Sequence, residues 1–189
     1  MRHVVIQPSY GTPEARRHWA DTLDRLVPFR DPRCAEVLTD DERTALEAAH
    51  PGGRARFWGT TDKHDRKLDR LGAGDVVLLT GGKRVRAVGE IGCVLRNPEL
   101  ARRLWTPDPA KCLWSNVVSF RHYRASDVPY EAVWALPGFN AGDNFMGLRL
   151  LGEDKAATIL SWLGLDHSAD PAPPSTGSAA TAARGRRAD

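Results

Sequence analysis

Two tryptophans stand where a flat ligand would find both a stacking surface and hydrogen bonds. Trp58 is followed by Gly59-Thr60-Thr61, and Trp114 by Ser115-Asn116. An indole beside small hydroxyl and amide side chains at a strand edge offers a π-face together with polar groups for the edge of a nucleobase. The same two residues would serve equally to plug the interior of a barrel. Of the six tryptophans in the chain, Trp19 and Trp162 fall on helix faces and read as core.

Catalytic chemistry has fewer candidates. No G-x-S-x-G elbow, G-x-x-x-x-G-K-[ST] phosphate loop or H-E-x-x-H zinc helix occurs. Gly81-Gly82-Lys83-Arg84 lacks the first glycine and the hydroxyl of a phosphate cradle, and it joins two strands. Asp143 with Glu153-x-Lys155 matches the letter of a restriction-type nuclease, in which two carboxylates hold a metal and a lysine supports the attacking water. That chemistry needs its groups on adjacent strands, whereas Gly152-Glu153-Asp154-Lys155 reads as a helix start. The six histidines are scattered. Cys34, Cys93 and Cys112 are odd in number and lack C-x-x-C spacing, so they read as reduced core thiols rather than as disulfides or zinc ligands. No catalytic residue, cofactor or metal is expected, and a weak metal-dependent nuclease is the alternative from the enzyme class.

Net charge is only +3, from 27 basic and 24 acidic residues, so no bulk positive field marks a polyanionic partner. A nucleic acid would have to be held by a local patch. Lys63, Arg66 and Lys67, on the loop after Trp58, and Lys83, Arg84 and Arg86, on a hairpin, are the candidate phosphate contacts; as solvated surface charges they would need no partner.

The elements that must position these groups follow from pattern. HVVIQPS is a β-branched strand stopped by Pro8. Thr12 caps a helix starting at Pro13, and Thr39-Asp40-Asp41-Glu42 is a capping box for a second. ARFWG, DVVLLT, RVRAVGEIGCVL and LWSNVVSFRHY read as strands, with a hairpin turn at Gly81-Gly82. Short helices are predicted over NPELARRLWTPD and PYEAVWAL, a closing strand over FMGLRLL, and a last helix over GEDKAATILSWLGL. Without βαβ alternation, an α+β fold fits best: a closed or partly closed mixed β-barrel flanked by short helices. Residues 1–166 are expected to form one domain. From 167 to 189, Pro, Ala, Ser, Thr and Gly replace every bulky apolar residue, so a disordered tail is predicted, with Arg184, Arg186 and Arg187 as weak phosphate contacts at most. No run is apolar enough for a membrane span or signal peptide, and a cytoplasmic, nucleoid-associated protein is expected.

Phe57-Trp58-Gly59, the stretch Leu71-Gly72-Ala73-Gly74-Asp75-Val76-Val77-Leu78, the run from Asn97 to Trp105 and Leu113-Trp114 together resemble the EVE domain of the PUA-like superfamily. The similarity is greatest to EVE modules fused to HNH nucleases in bacterial modification-dependent restriction enzymes, and it extends from about His3 to Leu151. It implies a PUA-like (EVE/YTH-type) barrel that flips a modified base, 5-methylcytosine or 5-hydroxymethylcytosine, out of double-stranded DNA into an aromatic cage. Trp58 and Trp114 would be the stacking walls, with Phe145 closing the cage and Ser9, Gly59, Thr60, Ser115 and Asn116 around the base edge. Two departures stand out. Ser115 replaces the acidic residue expected after the second tryptophan, and with no HNH segment present a separately encoded nuclease would do the cutting. Because PUA-like and YTH domains use the same barrel for RNA, an RNA reader is the rival. Unstacking a base costs a few kcal/mol, and stacking on an aromatic returns about 1–3. Phosphate contacts must then supply the balance, and a buried methyl, worth about 0.8 kcal/mol, would give only several-fold preference for the modified base.

Overall fold

The computed structural model describes residues 2–105 and 114–166. The predicted tail, its arginines and Cys112 lie outside them. β1 (Val4–Pro8) is the β-branched opening strand. Thr12 accepts a hydrogen bond from the Ala15 amide at 3.1 Å and caps α1 (Pro13–Thr22). After β2 (Val27–Pro28) and a one-turn α2 (Pro32–Ala35), neither evident in the sequence, the Thr39–Glu42 capping box closes reciprocally at 2.9 and 3.2 Å to start α3 (Asp40–Ala49).

β3 (Arg54–Thr61) carries Trp58 and runs into a 3₁₀ turn (Asp62–His64) and a four-residue α4 (Asp65–Leu68). β4 (Val76–Gly81) and β5 (Arg84–Arg96) form the predicted hairpin. Its central residues are Gly82 and Lys83, with φ of 60° and 58°, the paired positive angles of a type I′ turn and one residue later than expected. α5 (Pro98–Leu104) follows, capped by Asn97. β6 (Trp114–Pro129) is longer than its sequence signal, continuing past Tyr123 because its far half pairs with β5. After α6 (Tyr130–Trp134), the predicted closing strand shrinks to β7 (Arg149–Leu150), and α7 (Glu153–Trp162) ends the domain.

The strands form one sheet in the order β2-β3-β6-β5-β4-β1-β7. β1 runs parallel to β4, a pairing that the absence of βαβ alternation did not suggest. Strand alternation divides the apolar residues. Val4, Ile6, Val76 and Leu78 face Tyr130, Val133, Ile159 and Leu160 of α6 and α7. Val5, Val77 and Leu79 face the other way, toward Trp58, Val118 and Phe120. β3 and β1 are four strand spacings apart, ~19 Å on a flat sheet, yet Val5 and Gln7 line the same cavity as Trp58 and Thr60. The sheet must therefore roll, and the register shifts in β3, β4 and β5 supply the bends. A third cluster, with Phe57, Leu95, Leu100, Trp105 and Val117, packs α3 and α5 onto the outer face. Among the described residues no helix is long and apolar enough to cross a membrane.

Candidate nucleic-acid interface

Strand parity turns Trp58 inward from β3, where it is 3% exposed. Its ring centroid lies 5.1 Å from Trp114, 6.1 Å from Trp19 and 6.4 Å from Trp105. Trp105 and Trp114 meet at 4.6 Å, and His18 reaches Trp114 at 5.1 Å. Gly59 permits this crowding, since a Cβ there would come within 2.4 Å of Trp114 Cε3 and 2.9 Å of Trp105 Cζ3. Trp58 and Trp114 are thus in mutual contact, tilted by 59°. Two parallel walls around an inserted base would stand ~7 Å apart, twice the ~3.4 Å stacking rise. Trp19 and Trp105, for which the sequence indicates no ligand role, complete the cluster.

The indole nitrogens are not equivalent. Trp19 Nε1 donates to Asp24 Oδ1 at 2.9 Å, and Trp105 Nε1 donates to Thr22 Oγ1 at 3.1 Å. Trp58 Nε1 is buried without a partner. Asn116, fully buried and opposite Thr60 on the inner face, donates through Nδ2 to Asp65 Oδ1 at 2.8 Å and to Thr61 O at 3.2 Å. Those bonds orient the amide and leave its Oδ1, like the Ser115 hydroxyl at the β3–β6 register shift, buried and unpartnered. Buried polar atoms are nearly always paired, so each of these unused groups stands out.

A small cavity of about 10 Å³ lies beside Trp58 among Val5, Gln7, Thr60, Leu68, Leu71 and Leu148, room for no more than one water as it stands. Gln7, on the opening strand, is a wall residue. Ser9 is buried, but its hydroxyl donates to Gln7 O at 3.0 Å. Phe145 does not join the tryptophan cluster. It packs on the opposite face against Tyr130 and Phe139, at 4.8 and 6.4 Å.

The segment 65–71 has two sides. Leu68 and Leu71 line the aromatic cavity, whereas Arg66, Lys67 and Arg70 line a separate basic groove with Arg149 and Lys155. Lys67 Nζ donates to Leu148 O at 2.5 Å. Arg66 and Arg70 have no ion-pair partner among the described residues, and Lys63 is exposed on the 3₁₀ turn. The hairpin differs. Arg84 meets Asp127 at 2.6 Å, and Arg86 lies 3.5 Å from the same carboxylate and 5.0 Å from the centre of the Tyr10 ring, while Lys83 tops the turn.

Asp143 accepts from the Phe145 amide at 2.8 Å and from Arg149 at 2.6 Å. Burial pushes its carboxyl up, but these two bonds and the nearby Arg149 and Lys155 charges hold it below its ordinary value. Glu153 and Lys155 lie in the first turn of α7, not on the strand that restriction-type metal chemistry requires. Among the described residues no group of three or more His, Cys, Asp or Glu is placed to hold a metal. Cys34 and Cys93 are free thiols pushed up chiefly by burial.

No family model matches the sequence, and no curated protein matches it. Among solved structures the chain is similar to the N-terminal domain of Thermococcus gammatolerans McrB bound to m5C DNA, at 14% identity and a TM-score of 0.65, covering 86% of this chain and 98% of that one. At that identity the likeness is one of fold, and the chain shares the mixed α+β architecture of that domain.

Proposed function

We propose that this protein reads modified cytosine in DNA by receiving a flipped base in the cavity beside Trp58. The observation that carries the reading is the Trp58 indole, buried with its Nε1 donor unused, in the wall of an apolar cavity. A cytosine edge presents acceptors that an indole N–H can meet. The apolar walls Leu68, Leu71, Val77 and Ile91 suit a 5-methyl group. A fold like that of a domain bound to m5C DNA supports the same conclusion.

At about 10 Å³ the cavity is too small for a base, so entry requires its walls to open, and stacking on Trp58 requires Trp114 to leave that indole. That contact is worth about 0.5–1.5 kcal/mol, and base–indole stacking returns about 1–3, so the exchange is close to balanced. Flipping itself costs a few kcal/mol more, which the cations beside the cavity must offset through phosphate contacts.

The test is a mobility shift on matched duplexes carrying cytosine, 5-methylcytosine or 5-hydroxymethylcytosine, with RNA of the same sequence alongside. The methylated duplex should bind several-fold more tightly than the plain one. Equal affinities for all three duplexes would sink the modified-base reading, and tighter binding of the RNA would replace it with an RNA reader. Trp58→Phe, which keeps the apolar fill and removes the N–H, should lower affinity for the methylated duplex by about three- to tenfold, with folding checked by thermal melting.

A further inference from the structure

Met146 is 74% exposed; the other exposed large apolar side chain among the described residues, Leu26, stands at 46%. Its exposure is built in. Trp134 Nε1 donates to Asp143 O at 2.9 Å, Asp143 caps the Phe145 amide and pairs with Arg149, and Arg149 Nε donates to Met146 O at 3.2 Å. Phe145, at φ 48°, is buried in one core cluster, and Leu148 is buried in the other. A loop anchored on both sides holds a flexible apolar side chain out into water.

The location matters as much as the exposure. Leu148, two residues on, is a wall of the cavity, so the Met146 Cα lies within ~7 Å of the Leu148 Cα. Phe145 and Arg149, on either side, line the basic groove with Arg66 and Arg70. A duplex whose backbone followed that groove while one base entered the cavity would bring its stack against Met146. Extrusion of a base leaves a gap one base thick, and apolar side chains, methionine among them, enter base stacks in architectural DNA-binding proteins.

We propose that Met146 is the wedge that enters the base stack where the flipped nucleotide leaves it, with Arg66 and Arg70 holding the phosphates of the same strand. This rests on the base-pocket reading above. It assigns to the 140–149 loop a role in double-stranded DNA that a single strand, with no stack to fill, would not call upon.

Met146→Ala is the direct variant, and because the side chain is solvent-exposed its melting temperature should match the parent's. Binding is measured on a 5-methylcytosine duplex and on the single strand of the same sequence. The variant should bind the duplex about tenfold more weakly and the single strand within about twofold of the parent, and Met146→Leu should restore duplex binding. Unchanged duplex affinity, or an equal loss on both substrates, would overturn the wedge. A parent that binds methylated and plain duplexes alike would instead fail the pocket reading, and the wedge with it.

Discussion

Trp58, Trp105 and Trp114 can converge because residue 59 has no side chain. Gly59→Ala would press a methyl group into two indoles at 2.4 and 2.9 Å, and neither ring is the free end of a flexible chain. The expected result is a loss of about 1–3 kcal/mol in urea unfolding, with a change in tryptophan fluorescence because Trp114 must move. Retention of parental stability and fluorescence would show that the cluster is looser than drawn. At this scale the sequence shows the candidate site in part. Trp58, Thr60, Trp114 and Asn116 are legible because aromatic residues followed by small polar ones are uncommon in a core strand. Trp19 and Trp105 escape notice because an indole on or beside a helix reads as packing, and whether it reaches the strand pair depends on how α1 and α5 dock. Phe145 misleads for a related reason: its left-handed φ of 48° turns the ring to the far face, and no periodicity reports that.

The segment 65–71 is the element that joins pocket to charge, presenting leucines to the cavity and cations to the groove. The sequence marks Lys63, Arg66 and Lys67 as basic but reads them as a loop. Leu68 and Leu71 alone are too short a pattern to reveal a helical turn with two faces, and Arg70 and Arg149 join the groove only through tertiary packing. The same structure separates these cations from the hairpin. Arg66 and Arg70 lack ion-pair partners among the described residues, whereas Asp127 already engages Arg84 and Arg86. The double variant Arg66→Ala/Arg70→Ala should therefore flatten the slope of log affinity against log salt by about 1–2 on duplex DNA. Arg84→Ala should change it by less. A larger change from the hairpin variant would place the DNA backbone on the other side of the molecule.

At the scale of the whole molecule, the pattern of strands and caps shows the α+β class and most element positions, whereas the parallel β1–β4 pairing and the roll of the sheet depend on contacts distant in sequence. The same distant contacts decide how stability responds to pH. His18, His50 and His64 are all held below the ordinary 6.5, in each case first because burial disfavours the charged ring. His50 shows the consequence most plainly. Its Nε2 lies 2.8 Å from Ser119 Oγ, and that oxygen already accepts from the Cys93 amide at 3.0 Å. A neutral His50 can accept the Ser119 proton; a charged one would present a second donor to the same oxygen. With folded values below the unfolded 6.5, the unfolded chain takes up protons first as pH falls, so stability is complete above about pH 7 and declines as pH drops through 6.5 toward the folded values. On the alkaline side the sign reverses. Burial raises Cys34 and Cys93 above 9.0 and pushes Tyr123 up to about 12, so the unfolded chain loses protons first and stability falls above about pH 9. Urea midpoints measured from pH 5 to pH 10 should thus trace a plateau between about pH 7 and 8.5 with a decline on each side. In His50→Gln, which keeps an amide to meet Ser119 but cannot titrate, the acid-side decline should be shallower than in the parent. An acid limb as steep in that variant as in the parent would remove His50 from the account and leave the decline to the other histidines.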